Sequence, residues 1–298
     1  MSTAMSTSDA DRSGSLSADP RDHWSSLDPA ARSAAYDNNA AVADSATWID
    51  RRNSDSATYR AAHPGGLNLE YATTSERTAF DLYPATDPGA PCLVFIHGGY
   101  WQRNSREVFA CFAEGPAAAG WSVAIPGYSL APQTNLTGIV AEIGNALDWL
   151  AQNGAKHGIS GPLIISGWSA GAQLALLHLR HPHVVAGLAV SGVYDLEALR
   201  DTVLNQALNL TDLEINAFSP LRLPAVHKPL TISFGTAELP TLVHDAWHLN
   251  DLRARERAPT EVLPIAGANH FSILRELQRP DGALVSAAIG VFEKTLQH

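Results

Sequence analysis

Gly167-Trp168-Ser169-Ala170-Gly171 is a G-x-S-x-G pentapeptide set between an apolar run and a helix-like run. A serine on such a strand-to-helix turn carries its hydroxyl out over the end of a sheet. Glycines two places either side let the flanking backbones come close. The free amides at the start of the following helix favour developing negative charge. The chemistry this predicts is nucleophilic attack by Ser169 on a carbonyl carbon. The pentapeptide alone is a weak signal, and its strand–turn–helix setting gives it weight. The attack creates an oxyanion, which fixed donors must meet. His97-Gly98-Gly99-Tyr100-Trp101 directly follows the apolar run Cys92 to Ile96. Alone it reads equally well as a tight turn. Ahead of a serine turn it predicts an oxyanion hole built from the amides of Gly99 and Tyr100, joined by that of Ala170. His97 is expected to hold this loop and not to act as a base.

A serine nucleophile needs a base, and the base needs an orienting carboxylate. The chain holds 12 histidines, so a lone one says little. His270 stands out by place, because it follows a strand-like run, Glu261 to Pro264, through the loop 266–269. Glu238 is the expected acid, behind the strand-like Leu230 to Phe234 and the turn 235–237. Asp195, at the end of an earlier strand-like run, is a serious rival, and Asp245 a weaker one. The order serine, acid, histidine is that of α/β hydrolases. Tyr100, Trp101 and Trp168 neighbour the reacting groups and could stack on an aromatic substrate, or simply pack. His244 and His248 stand four apart on a helical run, and His178, His181 and His183 form a second group. Neither has a zinc signature, since the residue after His244 is Asp245 and no third ligand is evident; no metal is expected.

Positioning these groups requires a fold that alternates strands and helices. After Pro64-Gly65-Gly66, residues 67–71 and 78–83 alternate apolar and polar types, as half-buried strands do. Residues 92–96 suit a strand buried on both faces. Strand-like runs follow at 121–125, 163–166, 184–190, 230–234 and 261–264, with helix-like runs at 139–150, 170–179 and 286–296. This predicts an α/β fold with a mainly parallel central sheet flanked by helices. Residues 28 to about 62 are Ala-rich, and Asp28-Pro29 is a good helix start. They read as an N-terminal helical segment, either packed on a sheet edge or roofing a pocket. Residues 196–224 interrupt the alternation and read as a small helical cap. Residues 1–22, polar and serine-rich, are expected to be a disordered tail before a single domain over 23–298.

Composition narrows the partners. Against 20 Lys and Arg stand 30 Asp and Glu, a net charge of −10, which argues against nucleic acid and against an anionic membrane surface. No apolar stretch approaches a membrane span, and the N-terminus lacks the basic start and apolar centre of a signal peptide, so a cytoplasmic location is expected. The 2 cysteines, Cys92 and Cys111, cannot form a disulfide scaffold, and Cys92 is expected to be a buried free thiol.

Together these positions resemble the kynurenine formamidase (arylformamidase) family of α/β hydrolases. His97-Gly98-Gly99-Tyr100-Trp101-Gln102 is similar to its HGGxW motif. Tyr128-Ser129-Leu130-Ala131-Pro132, Ser191 to Glu197 and Asn269-His270-Phe271 are similar to further segments, the last of which typically reads DHF. The resemblance spans about residues 30–296. It implies an α/β-hydrolase fold with Ser169 as nucleophile, His270 as base, Glu238 as acid, and Gly99 and Tyr100 as oxyanion donors. Two positions depart: Trp168 stands where the family usually has histidine, and Glu238 where aspartate is frequent. The expected activity is acyl-enzyme hydrolysis of a small-molecule amide or ester, foremost an N-formyl aryl amide, with no cofactor. A short-chain carboxylesterase with the same triad is the alternative, and a fold that only binds ligand a remote third. Whether the protein is a monomer or a homodimer stays open.

Overall fold

The computed structural model describes residues 20–297. Its strands are β1 (Leu69–Glu70), β2 (Ala79–Tyr83), β3 (Cys92–Ile96), β4 (Ser122–Pro126), β5 (Leu163–Trp168), β6 (Val184–Val190), β7 (Leu230–Gly235) and β8 (Thr260–Ile265). They form one sheet in the order β1-β2-β4-β3-β5-β6-β7-β8. β1, β2 and β4 pair antiparallel, and every pair from β4 to β8 is parallel. The helices are α1 (Pro29–Ala34), α2 (Asn38–Ala41), α3 (Ser45–Ala62), α4 (Glu114–Ala118), α5 (Leu136–Asn153), α6 (Ala170–His178), α7 (Asn205–Leu208), α8 (Asp212–Phe218), α9 (Pro240–Arg255), α10 (Arg275–Gln278) and α11 (Ala283–Glu293). Joined to short 3-10 turns, α1 to α3 make the N-terminal segment, and α7 and α8 sit in the insertion between β6 and β7.

Both faces of the central strands are covered, which is why their sequences read as continuous apolar runs. Successive side chains of β3 alternate between two cores: Cys92, Val94 and Ile96 join one, Leu93 and Phe95 the other. The first core is closed by α5, α6 and α9, through residues such as Ile139, Leu174 and Leu242. The second is closed by α11, through Leu284 and Val285, and by the 3-10 helix Arg106–Ala113, through Phe109 and Cys111. Both thiols are buried and free.

Local chemistry sets several ends. Asp28 accepts from the Ala31 amide at 2.8 Å with Pro29 at the first helical position, so α1 begins where the Asp-Pro pair predicts. Asn135 caps α5 in the same way, at 2.9 Å from the Gly138 amide. A reciprocal Thr211–Glu214 capping box starts α8, and Glu214 also accepts from the amide and hydroxyl of Thr137 at 3.0 and 2.9 Å. That carboxylate therefore ties the cap to α5.

Two expectations change. β2 is buried along its whole length, although its alternation suggests one wet face. The reason is Asp81, whose buried carboxylate accepts from Arg60 of α3 at 2.7 Å and from Arg106 at 3.2 Å, so the polar residue turns to a salt bridge instead of water. The expected tail lies outside the described residues up to residue 19, but Pro20–Ser26 form a 3-10 helix, and Arg21 within it pairs with Asp245. No helix among the described residues is long and apolar enough to cross a membrane.

Candidate active site

Ser169 sits between β5 and α6 with φ 58 and ψ −122, a backbone conformation that side-chain-bearing residues seldom adopt. Holding it costs on the order of 1–3 kcal/mol, which the surrounding close contacts must offset. A Cβ on Gly171 would lie 2.0 Å from the Ile96 carbonyl oxygen, and one on Gly167 would lie 2.2 Å from the Gly171 carbonyl oxygen. The glycines two places either side of Ser169 are thus required sterically, because β3, β5 and α6 touch backbone to backbone there.

The loop after β3 faces this turn. Gly99 has φ 125, Tyr100 φ 51 and Trp101 φ 58, so three successive residues bend the chain back on itself. The bend is held from below. The His97 ring stacks on Tyr128 with centroids 4.3 Å apart, its Nδ1–H donates to the Gly98 carbonyl at 2.9 Å, and the Tyr128 hydroxyl donates to the His97 carbonyl at 2.8 Å. Burial pulls His97 down to about 3, so the ring is neutral and structural, as its place in the loop suggests. Among the described residues no acceptor takes the amides of Gly99, Tyr100 or Ala170, which leaves three donors unused around Ser169.

His270 follows β8. The loop ahead of it is fixed by Asn269, whose side-chain oxygen accepts from the amides of Phe271 and Ser272 at 3.0 and 2.8 Å, while the Ser272 hydroxyl accepts from the Asn269 amide at 2.9 Å. An amide oxygen suffices for these bonds, which accounts for Asn where a DHF pattern has Asp. His270 Nδ1 lies 2.7 Å from Glu238 Oε2, with both side chains buried. Its other oxygen, Oε1, accepts from the Ser191 hydroxyl and from the Gly235 amide, each at 2.6 Å. A carboxylate can only accept here, so the proton sits on Nδ1 and Nε2 is left as the acceptor.

The rival acids go elsewhere. Asp195 pairs with Arg222 at 3.3 Å, and Asp245 is buried against the Tyr194 amide at 2.7 Å with Arg21 as its counter-ion. Trp168 lines the site and braces the histidine: its indole N–H donates to the His270 carbonyl at 2.9 Å, and its ring centroid is 4.6 Å from the imidazole. Trp101 is a correction. Expected at the substrate wall, it is fully buried in the core, where its N–H donates to Gln173 at 3.2 Å. The two successive left-handed residues at 100 and 101 turn this indole inward, and Gln173 supplies the partner that makes its burial tolerable. Sequence reasoning named Ser191 only as the first residue of a segment similar to the family and missed its bond to the acid. Among the described residues no three His, Cys, Asp or Glu side chains converge as metal ligands.

Ser169 and His270 open into one cavity of about 750 Å³. Its floor is the carboxyl ends of the parallel strands, where α/β sheets place ligands. Its roof is the N-terminal segment, with Ser33, Tyr36 and Asn38, together with Val203 and Leu204 of the cap region. Roof and floor are joined through the Tyr100 hydroxyl, which accepts from Asn38 at 2.7 Å and donates to the Tyr36 carbonyl at 2.5 Å. The N-terminal segment therefore both packs on the fold and covers the site.

Several known proteins are similar to this chain over much of its length. The BD-FAE family model matches residues 80–183. A kynurenine formamidase of Salmo salar is 26% identical over 77% of this chain and 82% of its own length. One of Drosophila melanogaster is 27% identical over 71% and 77% respectively. Among solved structures, a provisionally assigned thioesterase from Silicibacter sp. TM1040 superposes with a TM-score of 0.76 at 26% identity, covering 86% of this chain and 98% of that one. Esterase LipW from Mycobacterium marinum superposes at 0.70 with 19% identity over 84% and 91%, a likeness of fold. The chain is an α/β hydrolase, related at a distance to the kynurenine formamidases.

Proposed function

We propose that the protein hydrolyses an N-formyl aryl amide by a two-step acyl-enzyme route, with Ser169 as nucleophile, His270 as base and Glu238 as the orienting acid. One observation carries the reading: Ser169, on its strained turn, shares a cavity with a histidine whose Nδ1 is held 2.7 Å from a buried carboxylate. His270 Nε2 takes the Ser169 hydroxyl proton as Oγ bonds to the formyl carbon, and the carbonyl electrons move onto oxygen. The amides of Gly99, Tyr100 and Ala170 receive that oxyanion. As it collapses, the C–N bond breaks and His270 returns the proton to the departing arylamine. Water, deprotonated by His270, then attacks the formyl-serine; formate leaves, and the proton returns to Ser169 through His270. None of these steps calls for a cofactor. The kynurenine formamidase relatives support the formamide as substrate. Trp168 and Phe271 on the cavity wall support an aromatic leaving group.

A second reading, hydrolysis of a small ester or thioester, is favoured by the thioesterase-like neighbour, which covers 86% of this chain and 98% of its own. The test compares N-formylkynurenine with p-nitrophenyl acetate, using wild type and Ser169→Ala in parallel. A much higher kcat/KM on the formamide, with turnover falling by about 10^4-fold or more in the variant, is the expected result. Turnover of the ester alone moves the function to the second reading. Activity that survives in a folded Ser169→Ala protein removes the serine mechanism.

A further inference from the structure

Arg52 of α3 faces the same cavity without a carboxylate partner. The three-residue spacing places it and Ile49 on one side of the helix, and both line the cavity with Ser169 and His270. Its guanidinium carbon lies over Phe109, 4.4 Å from the ring centroid. Its Nε and Nη2 donate to the Asn53 side-chain oxygen at 3.2 and 2.9 Å, and Nη2 also reaches Asn104 at 3.3 Å. These neutral amides orient the fork without neutralising it. Among the described residues Arg52 forms no ion pair, and its Nη1 has no acceptor. Burial lowers it to about 10, so it remains charged at neutral pH. A mostly buried cation in a molecule of net charge −10 would ordinarily find a counter-ion.

The surroundings add positive charge. Arg103 also lines the cavity, against a single acidic side chain there, Asp37. A small recess beside Trp168 and Phe271 shares Arg52 with the main cavity and brings in Arg51 and Arg275, with Asp55 as its only carboxylate; Asp55 pairs with Arg51 at 3.7 Å. The position is rigid, because Arg60, two turns farther along α3, is locked to the buried Asp81. It is also joined to the reacting groups. Phe109 under Arg52 lies 5.7 Å from Trp168, whose ring lies 4.6 Å from His270.

We propose that Arg52 is the recognition site for a carboxylate on the substrate's aromatic leaving group, so that the protein selects anionic aryl amides over neutral ones. The inference rests on the hydrolase reading above and names its substrate class. The free Nη1 carries two N–H donors that a carboxylate can accept from, and in a partly buried recess such a charge-assisted pair discriminates strongly against a neutral group.

The test measures kcat/KM for the three formamidobenzoate isomers, each against the matching formamidobenzamide, which has the same shape and no charge. At least one isomer is expected to be preferred by about tenfold or more in the wild type. Arg52→Gln should bring that ratio close to unity, mainly through KM, and Arg52→Lys should keep part of it. No preference in the wild type, or an equal loss on both members of a pair in Arg52→Gln, overturns the proposal. To separate this outcome from failure of the formamide reading, benzoate and benzamide are titrated calorimetrically into Ser169→Ala, which needs no turnover. Tighter benzoate binding that Arg52→Gln abolishes supports the site even if no formamide is cleaved. Equal binding of the two overturns it even if formamides are cleaved.

Discussion

At the scale of single residues, the site depends on how Glu238 is held. Its Oε2 orients His270, while Ser191 and the Gly235 amide fix its Oε1. Glu238→Gln keeps the shape but replaces one acceptor oxygen by a donor, which favours the wrong imidazole tautomer. A loss of kcat on the order of 10^3–10^4-fold is expected, with KM little changed. Ser191→Ala removes one of the three hydrogen bonds and leaves the carboxylate in place, so a loss of roughly tenfold is expected. Equal losses in the two variants would mean that Ser191 does more than position Glu238. Ser169, Glu238 and His270 were legible in the sequence because each stands directly behind a strand signal, where this architecture presents side chains. Asp195 was not separable from Glu238 on that ground. What separates them is Arg222, which lies 27 residues downstream and claims Asp195. Trp101 was misplaced because its direction is set by backbone dihedrals at 100 and 101, which residue type does not reveal.

At the scale of elements, the alternation of strands and helices was readable because the parallel strands are buried on both faces. The docking of α3 was not. Ser56 is its only fully buried residue, its hydroxyl accepting from the Cys111 amide at 3.2 Å, and Arg52 and Arg60 supply other anchors. Without an apolar stripe, periodicity cannot say which side faces the protein. The same weakness makes the roof separable from the floor. Tyr100→Phe deletes the hydroxyl that links Asn38 and the Tyr36 carbonyl while keeping the Tyr100 amide and the ring. Two hydrogen bonds, worth about 0.5–1.5 kcal/mol each, leave the roof. The expected result is a several-fold rise in KM with a smaller change in kcat, and faster proteolytic cleavage between α1 and α3. Unchanged cleavage would show that the remaining roof contacts, such as Val203 N–H to the Ser33 hydroxyl at 3.1 Å and Arg32 to Asp201 at 3.2 Å, suffice without Tyr100.

At the scale of the whole molecule, enclosing a sheet in two apolar layers takes titratable groups out of water along with the hydrocarbon. His97 is pulled down by burial to about 3 and His178 to about 4. Both are neutral in the native state, with His178 Nε2 donating to the Val140 carbonyl at 3.0 Å. In the unfolded chain they titrate near 6.5. Between that value and the native ones the unfolded state binds more protons, so stability rises with pH across the window. The contribution is complete above about pH 6.5 and is lost as pH falls toward 4 and then 3. Asp245, raised by burial, acts in the opposite sense, because its cost at neutral pH is relieved on protonation. It is a single group and retains Arg21 as counter-ion, whereas the two histidines act together, so a net loss is expected. Urea midpoints at pH 7.5, 6 and 5 should be ordered in that sequence, with His178→Gln showing a shallower decline than wild type. A midpoint that stays flat down to pH 5 would show that the native protein admits the histidine protons without unfolding, through water reaching His178 or through a rearranged loop at His97.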